Sequence, residues 1–118
     1  MTQTSLFRNV PTQRTLAAGE TLFSTGDDAD AMYAVIEGEI EIVRDGKVVE
    51  TCSADEIFGE LAILDRAEDH TRAADARATT DSVVAEINRD RFLFIVKSNP
   101  PFALLVMNHL ADRIRRGW

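Results

Sequence analysis

The sequence predicts a mainly β domain, a sandwich or jelly roll of about eight short strands closed by two C-terminal helices. Three observations predict it. Residues from about 15 to 87 are rich in Val, Ile and Thr and are broken at short intervals by Gly and Asp turn signals. Glu39-Ile40-Glu41-Ile42 alternates strictly, with both isoleucines on one face. After Asn88 the apolar spacing becomes that of a helix.

Gly19-Glu20 opens a strand over 21–23, and Gly26-Asp27-Asp28 makes the turn after it. A strand over 31–36 follows, and Gly38 interrupts it at a bulge or sharp corner. The alternating run 39–42 leads through Asp45-Gly46 into a partner strand over 47–51. Asp-Gly between two β runs signals a hairpin, because a type I′ turn needs positive φ at both central residues. Two further strands cover 73–78 and 82–87. Asn88 is a good N-cap for a helix whose Phe92, Ile95 and Val96 share a face. Asn99 and Pro100-Pro101 stop that helix and start the next, since proline is tolerated only in a first turn. The last helix spans about 101 to 116. Phe102, Val106, Leu110 and Ile114 recur in it every fourth residue, and Phe102, Val106 and Leu110 form the stripe that packs on the barrel. Leu104-Leu105-Val106-Met107 makes its first turns apolar all round, so it covers both its own barrel and a ligand or partner.

The 118 residues suit one domain, 15–118, preceded by an N-terminal segment, 1–14. The β part runs to about 87 and the helices occupy about 88–116. The longest apolar run, 102–107, is far short of the ~18 residues of a membrane span, and the start has no signal-peptide pattern. The lone Cys52 cannot form an internal disulfide and reads as a small buried apolar residue, so a cytoplasmic location is expected.

Thirteen Lys+Arg against twenty Asp+Glu give a net charge of −7, without the basic stripe that nucleic-acid binding by this chain alone would need. Arg113, Arg115 and Arg116 cluster where they complement the negative pole of the last helix. Asp27, Asp28 and Asp30 lack the ligand spacing of a calcium loop and read as a turn. His70 and His109 lie far apart with too few supporting ligands for a metal site or a Cys–His nucleophile. No catalytic residue and no metal ligand is expected.

The segment Phe58-Gly59-Glu60-Leu61-Ala62-Ile63-Leu64, followed by Arg72-Ala73-Ala74, carries the chemistry. Gly59 lets backbone come close to a ligand. Glu60 starts a short helix whose first N–H groups lack internal partners and suit an anion. Arg72 returns on the next strand with the side chain best suited to bidentate phosphate recognition. A carboxylate beside an anion site repels phosphate unless it serves another group, such as a sugar hydroxyl. The set reads as a site for a sugar phosphate with one negative charge.

These residues resemble the phosphate-binding cassette of cyclic-nucleotide-binding domains of the catabolite activator protein and protein kinase A regulatory subunit type. Ala18-Gly19-Glu20-Thr21-Leu22-Phe23, Gly26-Asp27, Met32-Tyr33 and Gly38-Glu39-Ile40 match the family's spacing upstream. Val84-Ala85-Glu86-Ile87, Phe92 and Asn99-Pro100 match it downstream, so the resemblance covers about 15–118. It implies an eight-stranded jelly roll (double-stranded β-helix) with a short cassette helix and two C-terminal helices. It also implies a non-catalytic sensor without a cofactor, which binds a cyclic nucleotide and signals to an unknown effector by moving its last helix.

By the same resemblance, Glu60 accepts a hydrogen bond from the ribose 2′-hydroxyl and Arg72 pairs with the cyclic phosphate. N–H groups near Leu61, Ala62 and Ala73 complete the cradle, with Phe58, Gly59 and Ala74 in the cassette. Val49 lines the ribose and base pocket, Arg113 faces the base or Glu60, and Trp118 reaches the base. Ala73 stands where the family often has a hydroxyl residue that favours guanine, so cyclic AMP is expected over cyclic GMP. The last helix implies a homodimer, and no membrane partner is expected.

Two features depart from the family pattern. Glu60 and Arg72 are further apart than in a compact cassette, and the added acidic segment 65–71 crowds an anion. The DNA-reading helix-turn-helix module is not within the chain, which implies a sensor half or a free-standing sensor. Two other readings compete: a degenerate fold kept for protein association without ligand, and an enzyme of the double-stranded β-helix type. The enzyme needs clustered His or carboxylate ligands on facing strands, which the sequence does not offer.

Overall fold

The computed structural model describes residues 4–64 and 71–117. The chain runs α1 (Thr4–Arg8), β1 (Gln13–Leu16), β2 (Thr21–Phe23), β3 (Ala31–Glu37), β4 (Ile40–Arg44), β5 (Lys47–Cys52), β6 (Ile57–Phe58), α2 (Leu61–Leu64), β7 (Asp75–Ala78), β8 (Ser82–Asn88), α3 (Arg89–Ser98) and α4 (Pro101–Arg115). Eight strands form two four-stranded antiparallel sheets, in the orders β1-β8-β3-β6 and β2-β7-β4-β5. This is the expected jelly roll with a short cassette helix and two C-terminal helices. No helix among the described residues is long and apolar enough to cross a membrane.

The strand β3 explains the layering. Ala31, Tyr33 and Val35 belong to the core between the sheets, with Phe23, Ile40, Ile42, Cys52, Phe58 and Val84. Met32, Ala34 and Ile36 belong to a second core, with Phe7, Ile87, Ile95, Phe102 and Val106 beneath the helices. A strand covered on both faces needs apolar residues at every position, so 31–36 shows no polar alternation.

Asp45 and Gly46 both have positive φ, 53° and 77°, at the β4–β5 hairpin, as the Asp-Gly pair requires. Gly38 turns the corner between the sheets at φ 94°. A Cβ there would lie 2.2 Å from Ser82 Oγ and 2.6 Å from the Asp81 carbonyl oxygen. The Ser82 hydroxyl in turn accepts from the Glu39 N–H at 3.0 Å.

Three elements fall outside the sequence reading: α1, β1 and β6. The first strand starts at Gln13, inside the segment set apart as 1–14, and buries only Leu16 of its four residues. Two residues of β6 are too few to show a period. The penultimate strand is shorter than expected, beginning at Asp75 and not at residue 73. The packing stripe on α4 is as expected, but the every-fourth-residue recurrence leaves the buried face at its end. Phe102 and Val106 are buried and Leu110 is half-buried, but Ile114 is exposed and Arg113 is buried in its place. Steps of four residues drift about 40° each around a helix, which carries Ile114 about 120° from Phe102. Arg113, eleven residues on, returns to within about 20° of it.

Candidate functional site

Beside the β-sandwich lies a cavity of about 560 Å³, lined by Phe23, Ala29, Ile42, Arg44, Gly59, Leu61, Ala62, Thr71, Arg72, Ala73 and Ala74, with Leu110, Arg113 and Ile114 of α4 across it. The two segments singled out in the sequence meet here. The turn at 26–27 fixes Arg72 from its backbone. The Arg72 N–H donates to the Asp27 carbonyl at 2.8 Å, and the Gly26 N–H donates to the Arg72 carbonyl at 2.9 Å. Thr71 forms an antiparallel bridge with Asp28. The Asp27 carboxylate closes its own turn by accepting from the Ser24 N–H at 2.9 Å.

The Arg72 side chain is only 7% exposed. Its guanidinium lies 4.1 Å from the centre of the Phe23 ring. One terminal nitrogen donates to the Ala31 carbonyl at 2.7 Å and the other to the Gly59 carbonyl at 3.5 Å. Nε is buried and has no hydrogen-bond partner. Burial lowers the Arg72 pKa, while the nearby Tyr33, Asp30 and Asp27 act the other way. The side chain is thus a desolvated cation at a cavity wall, held by carbonyl dipoles and ring faces. Gly59 makes this possible at φ 77°, since a Cβ there would come within 3.0 Å of Arg72 Nη1.

Glu60 is fully buried and is not among the residues lining the cavity. Its carboxylate faces α4. Oε2 is bonded to His109 Nδ1, and Oε1 lies 3.2 Å from Arg113 Nη1 without forming a hydrogen bond. His109 Nε2 meets Glu50 Oε2 at 2.6 Å, and Arg113 Nη2 donates to Glu50 Oε1 at 3.3 Å. Two carboxylates and two basic side chains therefore form a closed polar cluster between β5, the turn before α2, and α4. Burial alone would lower the His109 pKa. Hydrogen bonds to Glu50 and Glu60, and their charge, outweigh it and raise the value to about 9. Burial pushes Glu50 up, but the hydrogen bond from His109 and the charges of His109 and Arg113 leave it below its ordinary value.

Of the residues marked in the sequence, Gly59, Leu61, Ala62, Arg72, Ala73, Ala74 and Arg113 line the cavity, and Phe58 lies in the sandwich core beneath it. The Ala62 N–H is used inside the turn, donating to the Gly59 carbonyl at 3.2 Å. Val49 does not line the cavity. The β4–β5 ladder pairs Ile42 with Glu50 and Val43 with Val48, so Val49 is the extra residue of a bulge and packs against the sandwich core. Trp118 and the segment 65–70 lie outside the described residues.

The sequence reading missed Phe23, Ala29, Ile42 and Arg44 of the cavity wall and, in the charged cluster, Glu50 and His109. His109 sits seven residues after Phe102, about 20° from it around the helix, so its place on the buried face was available from spacing. Glu50 follows two adjacent valines, whose alternation does not say which face is inward.

Comparison with known proteins places this geometry. Residues 13–99 match the family model of the cyclic nucleotide-binding domain. The cAMP-dependent protein kinase regulatory subunit of Emericella nidulans is 42% identical over 77 residues, which are 64% of this chain and 18% of that protein. The Thermus thermophilus catabolite activator protein superposes with a TM-score of 0.77 at 27% identity, over 97% of this chain and 53% of that one. A structure described with a cyclic-GMP-dependent pathway in bacterial phytopathogenesis gives 0.79 at 28% identity, over 98% of this chain and 95% of that one. The chain thus spans less than a fifth of the kinase subunit and about half of the activator. With the family match running from the first strand through α3, and the cassette residues gathered at one cavity, this chain belongs to the cyclic nucleotide-binding domain family.

Proposed function

We propose that the chain is a non-catalytic sensor domain that takes a cyclic nucleotide at Arg72 and Glu60 and signals through displacement of α4. One observation carries the reading. Two buried atoms of the cassette side chains make no hydrogen bond: the donor Arg72 Nε, and the acceptor Glu60 Oε1, whose contact with Arg113 is an ion pair only. Such atoms are costly to leave without a hydrogen bond. A cyclic phosphate next to a ribose 2′-hydroxyl supplies an acceptor for the first and a donor for the second.

Cyclic AMP is the favoured ligand, because Ala73 at the cavity wall offers no hydroxyl to guanine. One neutral hydrogen bond nets about 0.5–1.5 kcal/mol, so the preference is modest. The kinase relative is cAMP-dependent and the bacterial structure belongs to a cyclic-GMP pathway, so both nucleotides need testing. Calorimetric titration of cyclic AMP, cyclic GMP and 2′-deoxy cyclic AMP should give tightest binding for the first. Arg72→Ala should cost about 100-fold or more, from charge-assisted bonds of roughly 1.5–3 kcal/mol each. Glu60→Gln, whose amide oxygen is a weaker acceptor, should shrink the penalty for the missing 2′-hydroxyl, and Glu60→Ala should erase it. A folded Arg72→Ala that binds as the parent does would overturn the assignment. No binding by the parent would favour a degenerate fold kept for protein association.

The effector is a protein that reads the position of α4. On α4, Leu104, Met107, Ala111 and Ile114 follow the three-four spacing of a coiled-coil seam, and all but Ala111 are exposed. That face supports a homodimer through α4. The acidic balance argues against nucleic acid as a direct partner of this chain, and the unpaired, buried Cys52 accords with a cytoplasmic location.

A further inference from the structure

Glu60 is sealed behind α4 by a side chain that the nucleotide-binding reading does not use. We infer that His109 is a proton-dependent clasp that pins α4 across the pocket, and that a nucleotide hydroxyl reaching Glu60 dislodges it, so that ligand uptake and proton release are linked. The linkage rests on the cyclic-nucleotide reading above; the clasp does not.

Geometry requires the proton. Both ring nitrogens of His109 face carboxylate oxygens, Nδ1 toward Glu60 and Nε2 toward Glu50 at 2.6 Å. A neutral imidazole has one donor, so one nitrogen would turn a lone pair toward a carboxylate. Only the imidazolium donates to both.

The charge count agrees. Glu60 comes from the turn before α2, Glu50 from β5, and Arg113 from α4 itself, 3.2 Å from Glu60 and 3.3 Å from Glu50. Arg116 reaches Glu50 more distantly, at 3.8 Å. The Cys52 thiol, also on β5, is pushed far up by burial and stays neutral. Among the buried members, Glu50, Glu60, His109 and Arg113 balance when His109 is protonated. Arg116 is half-exposed, so water screens its charge and it compensates a lost His109 proton only in part.

The path to Glu60 supplies the coupling. Its carboxylate is wholly buried, and α4 places Arg113 and His109 over it. A hydroxyl entering from the cavity reaches Oε1 by displacing α4, and because His109 rides on α4 the shift carries its ring off both Glu60 and Glu50. The imidazole, held at about 9 by its two carboxylates, then falls toward its ordinary 6.5 and gives up its proton near neutral pH. Protons and ligand therefore compete, and acid favours the pinned helix.

The first test is an NMR titration of the histidine rings in the ligand-free full chain, with His70→Gln to assign the signals. His109 should titrate near 9, and a value near 6.5 overturns the clasp. The second test is titration of cyclic AMP in two buffers of different ionisation enthalpy at about pH 8. The parent should release close to one proton per ligand, and its affinity should rise on the order of tenfold between about pH 7 and 8.5. His109→Gln should bind at least as tightly, release no proton and show a flat pH profile. A heat independent of buffer in the parent, or proton release that persists in His109→Gln, overturns the linkage. If neither cyclic AMP nor cyclic GMP binds the parent, the pocket reading falls and the linkage with it. The clasp is then decided by the titration and by the expected faster amide exchange along α4 in His109→Gln.

Discussion

At His109 burial is opposed by hydrogen bonds to two carboxylates and by their charge, and these win because both carboxylates share one ring. The sign of the pH dependence follows. A group raised from 6.5 to about 9 contributes stability that is complete below 6.5 and is lost as pH rises through 9. Glu50, lowered from 4.5, contributes stability present above 4.5 and lost only as pH falls below it. Glu50→Gln removes the anionic acceptor at Nε2 and lowers the His109 value. Thermal melts from about pH 6 to 10 should show an alkaline loss of stability in the parent and a smaller, earlier one in Glu50→Gln. Equal alkaline slopes would contradict the shared-ring picture. At this scale the sequence was legible where residue type alone carried the chemistry: Arg72 at the cavity wall, and Glu60 with Arg113 behind it. It was silent on Glu50, because a bulge cannot be read from two adjacent valines, and the bulge moves Val49 off the cavity.

Among the elements, α4 shows both what a period can tell and where it misleads. Phe102 meets the Phe7 ring at 6.0 Å and the Phe92 ring at 5.7 Å, so three elements share one aromatic contact. Phe102→Ala should cost about 3–5 kcal/mol of stability in urea unfolding, the usual range for a buried phenylalanine. A loss below ~1 kcal/mol would mean that α4 is not anchored there. The start of α3 is tied to the cassette helix, since Arg89 Nη1 donates to the Ile63 carbonyl at 2.8 Å. The hairpin and both C-terminal helices were legible because Asp-Gly, Asn88 and Pro100-Pro101 act locally. Asn88 caps as expected, its side chain accepting from the Arg91 N–H at 2.8 Å. The strands β1 and β6 were not legible. One is mostly polar and the other is two residues long, and each owes its existence to a neighbour across the sheet.

For the molecule as a whole, charge and the outer face of α4 set the terms of association. Ile114 is 79% exposed although it also borders the cavity. Two copies of a chain with net charge −7 repel, and salt screens that repulsion over about 8–10 Å. Sedimentation should therefore show a dimer that tightens as salt rises, and Ile114→Glu should shift it to monomer without lowering the melting temperature of dilute protein. A parent that stays monomeric at all salt concentrations would remove the homodimer from the proposal.

The doubly covered strand β3 has a thermodynamic consequence. Its six buried residues serve the sandwich and the helical layer by turns, so neither layer can come apart while the other keeps its wall. Calorimetric scanning should therefore give one heat-absorption peak, with van't Hoff and calorimetric enthalpies equal. An overpacking change on the helix side of β3, such as Ala34→Leu, should move that single peak down and leave its shape unchanged. A sensor built in this way unfolds as one body, although its signal passes through a single helix.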